Sequence, residues 1–101
     1  MLSNNSAMGG VQGYGGGISV SGATLTVERS TISNNSASGI SSSGSGGGVI
    51  IWSGTLTVQN DSKIVRNFAS DKGGGIFYLG GTGTISADST VASNIPDDIY
   101  P

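Results

Sequence analysis

The chain carries six acidic and four basic side chains and has neither histidine nor cysteine. That inventory removes His-containing triads, HExxH-type zinc sites, thiolate metal sites and disulfides. Chemistry by ionisable groups is left to carboxylates working beside Lys or Arg. Aligning the chain on its own repeats places Arg29, Asp61 and Asp88 near one turn of successive units, with Glu28 and Lys63 beside them. Two stacked carboxylates there could hold Ca²⁺ or serve as an acid/base pair of the kind that flanks a glycosidic bond. The plainer expectation is an exposed charged edge in which Arg29 offsets Asp61, worth less than ~1 kcal/mol. Asp71-Lys72 and Asp97-Asp98 stand in turn contexts and carry less. These positions assign no catalytic residue, no metal ligand and no cofactor.

The glycines do not supply a ligand loop. No Gly-Lys-Ser/Thr follows them and no helix follows to offer a positive end to a phosphate. The Ca²⁺-binding Gly-Gly-x-Gly-x-Asp nonapeptide is absent; Gly9-Gly10-Val11-Gln12-Gly13-Tyr14 comes nearest, with an aromatic where the ligand would stand. Asn4, Asn34 and Asn60 head Asn-x-Ser sequons, which a Ser- and Asn-rich chain produces by chance.

What the sequence does specify is a repeat. Gly46-Gly47-Gly48-Val49-Ile50-Ile51-Trp52-Ser53-Gly54-Thr55-Leu56-Thr57-Val58 is preceded by a near-copy at 15–27 and followed by a looser one at 73–87. Three landmarks recur: Gly-Gly-Gly plus an aliphatic (Ile18, Val49, Ile76), a Thr-Leu-Thr-Val-like segment (Leu25, Leu56, Ile85), and an aliphatic before an Asn (Ile32, Ile64, Val91). The offsets run from 27 to 32 residues, the range of a repeat architecture. Helix is not expected, because Gly, Ser, Thr and Asn dominate and no segment places apolar residues at i, i+3, i+4 and i+7. Alternation in the Thr-Leu-Thr-Val segments indicates strands. Each unit therefore holds three short strands separated by Gly- or Asn-containing turns.

Three strands per unit suit a parallel β-helix better than a propeller, whose blades hold four strands in about 40–45 residues. Equivalent positions would then stack: Ile18/Val49/Ile76, Val20/Ile51/Tyr78, Leu25/Leu56/Ile85, Val27/Val58/Ala87 and Ile32/Ile64/Val91, all apolar. Right-handed coiling follows from the handedness of parallel crossovers. The fold expected is thus all-β, a right-handed single-stranded parallel β-helix of about three coils, with coils at about 5–34, 35–66 and 67–93 and a closing segment at 94–101. A column of Asn5, Asn35, Asn67 and Asn94 would stack inside, each amide offering two donors and two acceptor sites. The alternative is that Asn merely tolerates a left-handed turn.

The pair of motifs, Gly-Gly-Gly-Ile and Ile-x-x-Asn, resembles the repeats of polymorphic outer membrane proteins and related bacterial β-helix repeat proteins. Those repeats carry Gly-Gly-Ala-Ile and Phe-x-x-Asn. Here Gly17, Gly48 and Gly75 stand for the Ala, and Ile32, Ile64 and Val91 for the Phe. Ser30–Ala37 also looks like the repeats of large secreted bacterial proteins, and Asn94–Tyr100 looks like the closing coil of such arrays. The resemblance implies a pectin-lyase-like fold at a bacterial cell surface, in an outer membrane passenger or adhesin, or secreted. Relatives of the fold include polysaccharide lyases and glycosidases, so a carbohydrate-active enzyme fragment is the competing expectation to a non-enzymatic structural or adhesive module.

Alternation also predicts an outward apolar patch of Ile50, Trp52, Phe77 and Leu79, suited to a protein or glycan partner or covered by a second copy. Open coil ends point to self-association or to an excerpt of a longer array. The net charge of −2 gives no electrostatic reason to bind nucleic acid. The longest apolar run, Val49 to Trp52, is four residues, far short of a membrane span, and Met1-Leu2-Ser3-Asn4-Asn5 lacks the features of a secretory signal.

Overall fold

The computed structural model describes residues 15–39 and 44–101, together with the strand backbone of residues 2–3, 6–9 and 13–14. It is all-β, with no helix among the described residues. The strands are β1 (Leu2–Ser3), β2 (Ser6–Gly9), β3 (Gly13–Tyr14), β4 (Ile18–Glu28), β5 (Thr31–Ser33), β6 (Ser36–Gly39) and β7 (Gly44–Ser45), then β8 (Val49–Gln59), β9 (Lys63–Val65), β10 (Phe68–Ala69), β11 (Ile76–Tyr78), β12 (Thr82–Ile85), β13 (Thr90–Ala92) and β14 (Ile99–Tyr100).

Every pairing is parallel and joins one repeat to the next. One sheet runs β1-β5-β9-β13 and a second β10-β6-β2. A third has β8 at its centre, with β4 on one side and β11 and β12 on the other, and β14 beyond β11. The registers lie on the columns read from the sequence for most of their length. Ile18 pairs with Val49 and Val49 with Ile76; Val20 with Ile51 and Ile51 with Tyr78; Ile32 with Ile64 and Ile64 with Val91. Nine of these aliphatics form one buried cluster: Val20, Val27, Ile32, Val49, Ile51, Leu56, Val58, Ile64 and Ile76. Each fully buried Ile, Leu or Val contributes about 1.5–3 kcal/mol.

Two expectations are corrected. The segment after the triple Gly and the Thr-Leu-Thr segment were expected as separate strands, yet in the first two repeats they form the single 11-residue strands β4 and β8. The chain still turns a corner within them. Gly22 (φ 70°) and Gly54 (φ 109°) are left-handed, and the β4–β8 register shifts between Val20 and Ser21 and again between Ser21 and Ala23. Only Gly takes such a φ without a Cβ penalty, and the shift moves the inward parity from residues 18 and 20 to residues 25 and 27.

The third repeat also slips. Leu25 pairs with Leu56 as expected, but Leu56 then faces Gly83, and Ile85 faces Val58. The columns are therefore Leu25/Leu56/Gly83 and Val27/Val58/Ile85; Ala87 lies beyond β12 and joins neither. The cause is Tyr78. It occupies the place held by Val20 and Ile51 in the earlier repeats, and its longer ring reaches across to Gly83, where a Cβ would collide with the phenolic oxygen. Burial raises the pKa of that phenol.

Gly83→Ala should destabilise the fold by about 1–3 kcal/mol through overpacking. Tyr78→Val in the same chain should remove most of that penalty, read as coupling in a denaturation double-mutant cycle. Additive effects would contradict the role given to Tyr78.

Candidate functional site

The charged turn assembles only in part. Arg29 (φ 47°), Asn60 (φ 56°) and Asp61 (φ 62°) are left-handed, so the chain turns sharply after the long strands β4 and β8. The turns stack through Arg29 N–H donating to the Asn60 carbonyl (3.1 Å) and Lys63 N–H to the Ser30 carbonyl (2.9 Å). Together Arg29, Ser30, Thr31, Asn60, Asp61 and Lys63 line an open groove of about 300 Å³. Asp88 is not among the lining residues.

Arg29 does not offset Asp61, as the sequence suggested. Its Nη2 donates to Glu28 Oε2 at 2.7 Å, the only ion pair among the described residues. Glu28 Oε1 accepts from Gln59 Nε2 at 3.0 Å. The Gln59 amide, followed by the Arg29 charge, holds the Glu28 carboxyl below its ordinary pKa. Asp88 is also held low, chiefly by the Ser86 hydroxyl and less by the Asp61 backbone N–H. The Glu28 and Asp88 carboxylates thus accept hydrogen bonds from neighbouring side chains in their ionised form. No group of three Asp or Glu residues that could hold a metal ion occurs among the described residues.

The Asn column is the best-formed polar feature. Asn35, Asn67 and Asn94 are buried. Asn35 donates its backbone N–H (3.0 Å) and Nδ2 (3.1 Å) to Asn67 Oδ1. Asn67 does the same to Asn94 Oδ1, at 2.9 and 3.0 Å. The Nδ2 groups of Asn67 and Asn94 donate further to the carbonyls of Ile32 (3.1 Å) and Ile64 (3.0 Å). Asn5 lies outside the described residues. The left-handed position is the residue before each of these, at Asn34, Arg66 and Ser93 (φ 55–58°). Tolerance of that φ therefore does not explain the column; the amide ladder does.

The ladder also explains the third Gly of each triplet. A Cβ on Gly48 would stand 2.6 Å from the Gly75 carbonyl oxygen and 3.1 Å from Asn67 Nδ2, and one on Gly17 would meet Gly48 and Asn35 in the same way.

A second polar column was missed. Ser30 N–H donates to Ser62 Oγ (3.3 Å) and Ser62 N–H to Ser89 Oγ (3.1 Å), while the buried Ser62 hydroxyl donates to the Gln59 carbonyl (2.7 Å). Its signal was present: Ser stands two residues before Ile32, Ile64 and Val91.

The outward patch is corrected. Ile50 is fully buried and Phe77 nearly so, Trp52 is half-buried and Leu79 is exposed. The first Gly of each triplet folds back on the side chain four residues on. Gly46 (φ 69°) lies against Ile50 and Gly73 (φ 64°) against Phe77, each so close that a Cβ would stand 2.7 Å from the partner's Cβ. The Tyr100 ring then packs on Phe77 at 5.6 Å between centroids. Trp52 is tied back as well, its Nε1 donating to Ser19 Oγ at 3.0 Å. The four residues do not form a continuous exposed face.

Comparison with family models, curated proteins and solved structures finds no match. Among the described residues no helix is long and apolar enough to cross a membrane.

Asn67→Ala would remove the Oδ1 that accepts from the backbone N–H and Nδ2 of Asn35 and should cost at least ~2 kcal/mol. Arg66→Gly, next to it, should stabilise by about 1–2 kcal/mol because it relieves a left-handed side chain; equal losses at both sites in urea denaturation would contradict the ladder. The depressed Glu28 and Asp88 carboxyls set a pH dependence. Their contribution is present above the ordinary values of 4.5 and 3.8 and is lost as pH falls through their lower folded values. Gln59→Ala should move the Glu28 midpoint upward, toward its ordinary value, in a ¹³C carboxyl titration.

Proposed function

We propose that the chain is a right-handed parallel β-helix repeat module of a secreted or cell-surface bacterial protein, serving as a structural or adhesive segment. The observation that carries this reading is the continuity of parallel pairing from repeat to repeat, with the Asn ladder running through it. The Gly-Gly-Gly-Ile and Ile-x-x-Asn pattern that resembles polymorphic outer membrane protein repeats coincides with the packed turn: the glycines leave the ladder's amides room that a Cβ would fill, and the aliphatics fill the core. Polar side chains are spent largely on the backbone and on one another, as a scaffold requires.

The alternative, a carbohydrate-active enzyme fragment, rests on the groove at Arg29, Asp61 and Lys63. Its nearest firmly hydrogen-bonded carboxylates are Glu28, neutralised by Arg29, and Asp88, engaged by Ser86. Neither is poised as a raised-pKa general acid.

Two experiments test the proposal. In a stacked array each added repeat contributes a nearest-neighbour interface. Duplicating residues 35–66 in tandem should therefore raise both the denaturation midpoint and the m-value; a drop in either would count against the array. In a polysaccharide panel the chain should release no reducing ends. Turnover abolished by Asp61→Ala would transfer the assignment to the enzyme reading.

A further inference from the structure

The second arm of the long strands carries a regular array on its outer side. Leu25, Val27, Leu56 and Val58 pack into the core, so Thr24, Thr26, Thr55 and Thr57 point away from it. In β12 Thr82 and Thr84 flank Gly83, whose inner side meets Tyr78. Thr24 pairs with Thr55 and Thr55 with Thr82; Thr26 pairs with Thr57 and Thr57 with Thr84. The result is two ranks of three threonines. Neighbours in a rank stand about 4.8 Å apart, and the ranks lie about 6.6 Å apart, two residues along the strands. No charged side chain lies within the array, and Glu28 and Gln59 border it.

Five of the six threonines are exposed and Thr57 is half-buried. Among the described residues no hydrogen bond ties any of their hydroxyls to the protein, whereas the hydroxyls of Ser53, Ser62, Ser70 and Ser86 all bond within it. Each Thr hydroxyl therefore keeps one donor and two acceptor sites for what lies outside. Branching at Cβ restricts χ1, so hydroxyl and methyl stand at set positions. Ser would rotate more freely, and Val would lack the hydroxyl.

The preference of Thr for strands does not account for the array. The other columns on the outer side change residue type from repeat to repeat: Ser19/Ile50/Phe77, Thr31/Lys63/Thr90 and Ser36/Phe68/Ile95. The slip in the third repeat sharpens the contrast. It sets Gly83 in the interior column of Leu25 and Leu56, yet it places threonine on threonine at both outer positions. Without it Thr84 would face Thr55, and Ser86 would face Thr57.

A neutral face of hydroxyls at constant spacing in two directions complements a surface that offers neutral donors and acceptors at constant spacing. The surface of ice is of that kind, since every oxygen in it both donates and accepts. A charged ligand would find no countercharge within the array, and a flexible one would lose conformational entropy in matching it. Sheets twist unless stacking or a side-chain ladder opposes it, and the Asn ladder joins the same three repeats.

We propose that the face formed by Thr24, Thr26, Thr55, Thr57, Thr82 and Thr84 binds the surface of ice. The inference rests on the pairing registers and the unbonded hydroxyls, and is independent of any surface or adhesive role.

The test is the growth of a single ice crystal in solutions of the parent chain, followed by nanolitre osmometry. The parent should facet the crystal and hold it without growth over an interval below the melting point. Thr55→Lys and Thr57→Lys, made separately, each set a strongly hydrated ammonium in the middle of the array. Each should abolish that interval with unchanged far-ultraviolet circular dichroism, and the two serve as replicates should one fail to fold. Phe68→Lys, on a different sheet, should keep it. A folded parent that leaves ice growth unaltered, or array variants that arrest growth as the parent does, would overturn the proposal. So would retention of the parent on microcrystalline cellulose without any effect on ice, which would give the face to a polysaccharide. None of these outcomes bears on the tandem-duplication result, so the face and the array of repeats are judged separately.

Discussion

Three buried amides set the geometry of this molecule. Asn67 and Asn94 each accept, at one Oδ1, both the backbone N–H and the Nδ2 of the Asn before. An unpaired buried amide costs about 1–3 kcal/mol, so the ladder is tolerable only when complete. That requirement reaches outward. It fixes the spacing between repeats at one hydrogen bond, which brings the backbone of the glycine triplets within contact of the amides and leaves no room for a Cβ at Gly17 or Gly48. The aliphatic columns beside it then fall into register, because Ile32, Ile64 and Val91 precede the Asn by a constant three residues and are held by the same turn.

The repeats are alike where they touch and unlike in length: from the column Asn to the next glycine triplet the sequence runs 35–46 in one unit and 67–73 in the next, while the ladder and the interior columns are kept. The third unit departs most, since Tyr78 fills space that a neighbouring Leu would claim, and a two-residue slip with Gly83 absorbs the difference. Charge has little part in holding the stack. The one ion pair among the described residues, Arg29 with Glu28, joins sequence neighbours on an exposed turn, where such pairs contribute little.

Much of the architecture was legible because a parallel stack writes itself into sequence as repetition. Positions such as Ile18/Val49/Ile76 could be matched by eye because each must be apolar and equivalent. The slip at Ile85 was not legible, since it depends on the size of Tyr78 in a neighbouring strand arm rather than on the Thr-x-Thr pattern itself. The outward patch was misread for a related reason. Alternation gives which side of a strand Ile50 and Phe77 occupy, but not that a left-handed glycine turn lies over that side. The Ser30/Ser62/Ser89 column escaped notice because Ser is so frequent in this chain that its recurrence carried no contrast.

The central claim is that these Asn side chains bond from repeat to repeat. Scalar coupling across hydrogen bonds measures this directly by nuclear magnetic resonance. The backbone ¹⁵N of Asn35 should couple to the side-chain carbonyl carbon of Asn67, and that of Asn67 to Asn94, with these amides among the slowest to exchange. Couplings to other carbonyls, or rapid exchange of Asn35 and Asn67 in an otherwise folded chain, would contradict it.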